Sequence, residues 1–480
     1  MKFNNPLYEN EELAYEDVFL FQNYFQGKSR FEMNVKPEFS LNTNIPIVVA
    51  NMNAVAGKRM AETMARYGGL VVLPQDMDDE TMKRIVLHVK NANIFYDTPI
   101  TVEADDTIRD ALGLIYKRSH KCVILIDKNR KPLDVFKPKD FDGYDQFTLL
   151  GNFSKRDLIV AQEGISDEEA FNLMEKNGVW VLPIVKKDWV LVWILTKKQT
   201  IRNSIYKPTL DFEWRLDLTV ALGINNFEER AKMLFDLGVR TFVLDTAHAY
   251  QKSMIDAIKR CRNLFGDKVK IVAGNVVTAQ ATKALLEAWA DGVKVWLGPW
   301  AMCTTRIKTW VGRPQFTAVY KCAQEAKKHG KFVWADGWIK EPRDMILALA
   351  AGANHAMLGT TFAGTYESVW DIKYDEQWYM YKENYGMASK KAVTLRNKWL
   401  SKFELARKQM FREWISTSKI YLKEWRSSVG DIVDEFVAGL RSAMTYVGAA
   451  NLSEFHEKAI IGVQTQAGFV EGTPHGRVKR

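Results

Sequence analysis

Residues 294–319 read KVWLGPWAMCTTRIKTWVGRPQFTAV, and in them Cys303 follows a Gly-Pro turn and precedes two threonines and Arg306. A thiolate is a strong soft nucleophile, and a cationic neighbour such as Arg306 lowers a thiol's pKa and makes thiolate available near neutrality. A single cysteine is also, more often than not, a small buried hydrophobe. Residue chemistry alone leaves both readings of Cys303 open. The other cysteines, Cys122, Cys261 and Cys322, form no CxxC spacing. Neither a zinc site nor a disulfide framework is expected, and a reducing cytoplasm fits.

A nucleophile at a turn needs a frame to aim it. Short apolar runs at residues 45–50, 241–244, 270–273, 292–295, 332–335 and 355–358 read as buried strands. Helical periodicity follows at 58–67, 226–237, 251–264, 279–290, 316–329 and 341–351. Strand and helix alternating in this way predict βαβ units and a parallel sheet. So many repeats favour an α/β (β/α)8 TIM barrel, with a doubly wound sheet as the alternative. In a barrel, working residues stand at the C-terminal strand ends and on the loops that follow.

Residues 92–206 break the alternation. They hold two similar units, starting near 98 and 158, each a strand, an acidic helix start, a helix and a two-strand hairpin. Duplication inside a larger domain predicts an inserted module, with the barrel in 1–91 and 207–480. The units resemble a pair of CBS domains, which implies regulation by an adenine or guanine nucleotide. A purely structural insert is the plainer alternative.

The chain of 480 residues is 47% hydrophobic and 26% charged, which permits a large core and more than one domain. Its net charge of +9 suits anionic small molecules. No dense basic block interleaved with aromatics is present, so nucleic-acid binding is not expected. No apolar run approaches the roughly 20 residues of a membrane span. Residues 1–20 are polar and acidic, unlike a secretory signal.

The Cys303 segment resembles the active-site loop of IMP dehydrogenases and GMP reductases, whose pattern is G-P-G-S-x-C-T-T-R followed by T-G-V-G-x-P-Q. The likeness extends over nearly the whole chain. Asp336-Gly337 resembles the family's A-D-G-G phosphate loop, and Gly359-Thr360 its second phosphate turn. Residues 385–389 (YGMAS) resemble its base-binding segment, and residues 439–450 (GLRSAMTYVGAA) its C-terminal part. The resemblance implies that Cys303 attacks C2 of a purine nucleotide, with Thr305 and Glu367 handling ammonia. It implies substrate binding by Asn51, Met52, Asp336, Gly337, Gly359, Thr360, Tyr385, Gly386, Met387 and Ser389. It implies a nicotinamide cofactor held by Asp245, Asn275, Lys294, Arg306, Ser442 and Tyr446. Backbone carbonyls of Gly298, Trp300 and Cys303 would hold a monovalent cation, K+, and a homotetramer or octamer is the expected assembly.

Both directions of the family's chemistry pass through the same covalent thioimidate. Dehydrogenases oxidise IMP with NAD and release XMP with water. Reductases take GMP, NADPH and protons to IMP and ammonia. Ala50-Asn51-Met52, Tyr385 before Gly386-Met387, and residues 445–448 (TYVG) resemble the reductase form. Dehydrogenases activate water with an Arg-Tyr pair on a flap, and no Arg-Tyr occurs between Ser389 and Gly430. The reductase is therefore the expected activity. The dehydrogenase is the alternative, since reductases usually lack the insert, and an inactive nucleotide-sensing paralogue is a third reading.

Fifteen tryptophans are unusual. Trp193, Trp289, Trp296, Trp300, Trp310 and Trp338 stand where the family pattern has glycine, and Trp370, Trp414 and Trp425 are similar. Either the indoles are genuine and the site is dead, or UGA codons read as glycine in some variant codes have been rendered as tryptophan. Trp334 lies in a strand and is expected to be authentic.

Overall fold

The computed structural model describes residues 1–39, 41–153, 157–297, 309–384, 401–410, 418–423 and 426–473. Eight parallel strands close into a barrel in sequential order. They are β1 (Ile47–Val49), β2 (Leu70–Leu73), β3 (Thr219–Leu222), β4 (Thr241–Asp245), β5 (Lys270–Val276), β6 (Gly292–Val295), β7 (Phe332–Asp336) and β8 (His355–Leu358). Neighbours pair in register, for example Val243 with Val272 and Val293 with Val333, and β8 returns to β1 through Met357 and Val48. Residues of these strands are buried almost throughout. That is why they read as continuous apolar runs rather than alternating ones: one face fills the barrel and the other lies under helices.

Around the barrel run α1 (Lys58–Arg66), α2 (Asp79–Asn91), α3 (Glu228–Asp236), α4 (Lys252–Phe265), α5 (Ala279–Glu287), α6 (Gln315–Lys328), α7 (Pro342–Ala350) and α8 (Val429–Val447). Their ends carry the signals that set their bounds. Asp78 and Thr278 cap α2 and α5 through side-chain oxygens, and Ser428 caps α8. Pro342 opens α7 at a position where its missing N–H costs nothing.

Between α2 and β3 lie two small three-stranded sheets of identical topology. In the first, Thr101–Val102 pairs parallel with Val123–Ile126, which pairs antiparallel with Pro132–Phe136. In the second, Ala161–Gln162 pairs parallel with Val181–Val185, which pairs antiparallel with Leu191–Thr196. Each unit has its own core, and a third apolar cluster of Cys122, Ile124, Ile126, Val181, Leu191 and Ile194 joins them.

Polar contacts lock these units to the barrel. Glu62 on α1 is fully buried and accepts from Arg66, from Arg118 of the first unit and from Thr98 Oγ1 at 3.0 Å. Burial opposes its charge, but Arg118 and Arg66 hold it below the usual carboxylate range. Arg202, at the end of the second unit, donates to Asp431 and Asp434 of α8 at 2.8 Å each. Among the described residues, no helix is long and apolar enough to cross a membrane.

Candidate functional site

The C-terminal ends of five barrel strands bring their polar residues to one place. Asn51 follows β1, Asp245 ends β4, Asn275 lies in β5, Lys294 in β6 and Asp336 ends β7. Asn51 Nδ2 donates to Asp245 Oδ2 at 2.8 Å. Lys294 Nζ stands 2.9 Å from Asp245 Oδ1 and donates to Asp336 Oδ2 at 2.7 Å. Lys294 is buried; burial works against its charge, but Asp245 and Asp336 together hold its pKa above the ordinary lysine value. The ammonium therefore stays protonated and anchors both carboxylates. Asn275 Oδ1 is buried with no hydrogen-bond partner among the described residues. An unsatisfied buried acceptor is costly, which marks this oxygen as open to a ligand's donor.

Gln315 was not singled out in the sequence, yet it ties the frame together. Its Nε2 donates to Val295 O at 2.8 Å and to Asp336 O at 2.9 Å, joining the ends of β6 and β7. Its signal was a polar residue directly after Pro314 at the start of an otherwise apolar helix face. From β6 the chain leads into the Cys303 loop, and from β7 into Gly337, whose φ is +80°. Met52 is buried under the mouth, and Gly359 and Thr360 follow β8.

Glu367 lies apart from that cluster in its polar contacts. It is buried, and its Oε2 accepts from Val429 N at 3.1 Å at the start of α8. Burial raises its pKa, so the neutral acid is favoured more than for an exposed glutamate. Beside it, the buried Lys382 ammonium donates to Tyr366 O and Ser368 O at 3.1 Å each, and burial lowers its pKa to about 7.

Ser442 and Tyr446 are not gathered at the mouth. Both lie on the outer helix α8, where Ser442 Oγ accepts from Arg30 Nη1 at 3.4 Å and Tyr446 is exposed. At a rise of about 1.5 Å per residue, Tyr446 is about 25 Å along the axis from the helix start beside Glu367. Within one chain, no contact among the described residues brings them to Asn275 or Lys294. Cys303, Thr305, Arg306, Gly298 and Trp300, and likewise Tyr385, Gly386, Met387 and Ser389, lie outside the described residues.

The family model for the IMP dehydrogenase / GMP reductase domain matches residues 12–475. The chain is 45% identical over 465 residues to a GMP reductase of Mycobacterium tuberculosis, covering 96% of each. It is 33% identical over 478 residues to an inosine-5'-monophosphate dehydrogenase of Staphylococcus saprophyticus, covering 98% of this chain and 96% of the relative. Among solved structures, a cysteine-to-alanine variant of GMP reductase from Trypanosoma brucei in complex with guanosine 5'-monophosphate is 30% identical, with a TM-score of 0.69 over 99% of this chain and 100% of that one. A GMP reductase from the same organism in complex with guanosine 5'-triphosphate gives a TM-score of 0.58 at 29% identity, over 95% and 98%. With an eight-stranded barrel, a polar cluster at its C-terminal mouth and a match over nearly its full length, the chain belongs to the IMP dehydrogenase/GMP reductase family.

Proposed function

We propose that the protein is an NADPH-dependent GMP reductase acting through Cys303. The observation that carries this reading is the mouth cluster of Asn51, Asp245, Lys294 and Asp336, with Lys294 on the strand that precedes Cys303 in the sequence. The greater likeness to a GMP reductase than to a dehydrogenase supports the direction.

The Cys303 sulfur bonds to C2 of the guanine base and the C2 amine leaves as ammonia. NADPH, when bound, supplies the hydride that reaches C2. The C–S bond then breaks, returning thiolate and IMP; two protons are taken up, one of them carried off by ammonia as ammonium, and NADP+ is the oxidised product. Asn275 fits the cofactor, because its orphaned buried Oδ1 can accept from a carboxamide N–H. Lys294 holds the carboxylates of Asp245 and Asp336 in place, which turns the strand ends into a rigid acceptor surface for ribose hydroxyls. The Gly337 and Gly359-Thr360 turns receive the phosphate. Glu367, whose neutral form is favoured by burial, acts with Thr305 to protonate the departing amine. Arg306, three residues after Cys303 in the sequence, is the cation proposed to favour its thiolate. A monovalent cation on the carbonyls of Gly298, Trp300 and Cys303 would steady the loop, and no step depends on it.

Residues 92–206 are proposed to be a CBS-domain pair that binds a regulatory purine nucleotide, with the rest of the chain as catalytic barrel. A homotetramer or octamer in the cytoplasm is the expected working form. Ser442 and Tyr446 could then serve a cofactor bound by a neighbouring copy. Intact-protein mass spectrometry on acid-quenched turnover with GMP and NADPH tests the chemistry. A nucleotide adduct confined to Cys303 is expected; turnover without any adduct, or undiminished turnover in Cys303→Ala, would contradict it.

A further inference from the structure

Among the described residues, ten other than glycine adopt a φ in the left-handed region, and six of them are tryptophan: Trp189, Trp214, Trp289, Trp310, Trp338 and Trp378, with φ between 57° and 75°. Left-handed backbone is routine for glycine and uncommon for a bulky side chain. Nothing about an indole favours it, so tryptophan is not expected to collect there.

The chain supplies its own controls. Five barrel helices end in the same pair of bonds, with a glycine at the left-handed position. After α1 the Gly68 and Gly69 N–H groups reach back to Ala65 and Met64; Gly238, Gly330, Gly352 and Gly448 do the equivalent after α3, α6, α7 and α8. Helix α5 closes with identical bonds, Trp289 N to Leu286 O at 2.9 Å and Ala290 N to Leu285 O at 3.2 Å, but places Trp289 at the glycine position. Four hairpin loops repeat one pattern. In 127–131, 186–190, 211–215 and 375–379 the first residue's N–H donates to the fifth residue's carbonyl and the fourth's N–H to the first's. That is a tight turn followed by one left-handed residue, a position that favours glycine. It holds Arg130 in the first loop and Trp189, Trp214 and Trp378 in the other three. The indoles gain little from burial in return: Trp310, Trp378 and Trp214 are 85%, 80% and 79% exposed.

We infer that the natural protein carries glycine at 189, 214, 289, 310, 338 and 378, each encoded by UGA that its own ribosomes read as glycine. Trp334 is the counter-example that makes the inference specific. It lies inside β7, wholly buried, with its ring against His355 at 5.9 Å, and it is a true tryptophan. One consequence falls on the site. Trp338 directly follows Gly337 after β7, and its ring lies 3.6 Å under the Lys340 ammonium. With glycine there, the turn offers bare backbone to a phosphate and Lys340 is released to face the same anion.

Peptide mass spectrometry of the protein from its natural source, with the gene's codons read alongside, tests this. Glycine from UGA at 189, 214 and 378, with tryptophan from UGG at 334, is the expected result. Tryptophan peptides or UGG codons at those three positions overturn it. A recombinant pair gives a second readout. Replacing all six tryptophans by glycine is expected to raise Tm, whereas Trp334→Gly lowers it. A lower Tm for the six-fold variant also overturns the inference.

Discussion

At the barrel mouth a single ammonium serves two carboxylates, and this makes Lys294 the residue on which the site's geometry depends. Lys294→Met removes the cation but leaves Asp245 and Asp336 facing each other. Breaking a buried pair in this way costs about 3–5 kcal/mol, so urea unfolding should show a loss of that order, along with loss of nucleotide binding. A stability unchanged from the parent would mean that the carboxylates do not need Lys294. Glu367→Gln keeps the shape and removes the titratable proton. It is expected to slow ammonia release by about 10²-fold, the usual scale of a lost acid–base group, with KM for GMP little changed. Because the neutral acid is the active form and burial raises its pKa, kcat should fall as pH rises through that raised value. A Glu367→Gln enzyme with the parent's kcat would assign this carboxyl only to its contact with Val429. Among these residues, Asp245, Asn275, Lys294 and Asp336 were legible from the sequence through motif likeness. Gln315 was not, because bridging two strand ends depends on tertiary neighbours that no local pattern encodes.

The elements were legible where their pattern is local. The strands 292–295 and 355–358 and the helix 58–67 agree with β6, β8 and α1 to within a residue. Two barrel strands, β2 and β3, were missed. Leu70–Leu73 follows Gly68-Gly69 and Thr219–Leu222 follows the mixed run RLDL, and four buried residues are too few to show a period. Only closure of the barrel identifies them. Polar burial was equally hidden: Glu62 sits inside α1 as an ordinary helix residue, and Arg118 is 56 residues away. Arg118→Ala should destabilise by about 3–5 kcal/mol, as expected for removing one partner of a buried pair, measurable as a lower midpoint in urea. Burial also sets the protein's acid limit. It pushes His355 down to about 3 and His120 and His456 to about 4. An unfolded histidine titrates near 6.5. The folded form therefore binds fewer protons, so stability from these groups is full above about pH 6.5 and declines as pH falls toward 4. Thermal melts from pH 7.5 to 4.5 should show that decline, and His355→Gln should flatten it.

At the scale of the whole molecule, the insert is a body with its own cores that is joined to the barrel through Glu62, Tyr67 and Asp431 to Asp434. Its duplication could be read from sequence, since each copy carries the same order of strand, helix and hairpin. How it is held could not, because the contacts pair residues far apart in the chain. Deleting residues 92–206 is expected to leave catalysis within a few-fold of the parent while lowering Tm and removing any nucleotide regulation, as for a module with its own core. A folded but inactive deletion variant would place part of the active site in the insert. The direction of the reaction separates a reductase from a dehydrogenase. Protein from the natural source, supplied in separate reactions with GMP plus NADPH and with IMP plus NAD, decides it by product analysis. A GMP reductase gives NADPH oxidation with IMP and ammonia formed in equal amounts, and negligible XMP. Efficient conversion of IMP to XMP, with no NADPH oxidation on GMP, would contradict it.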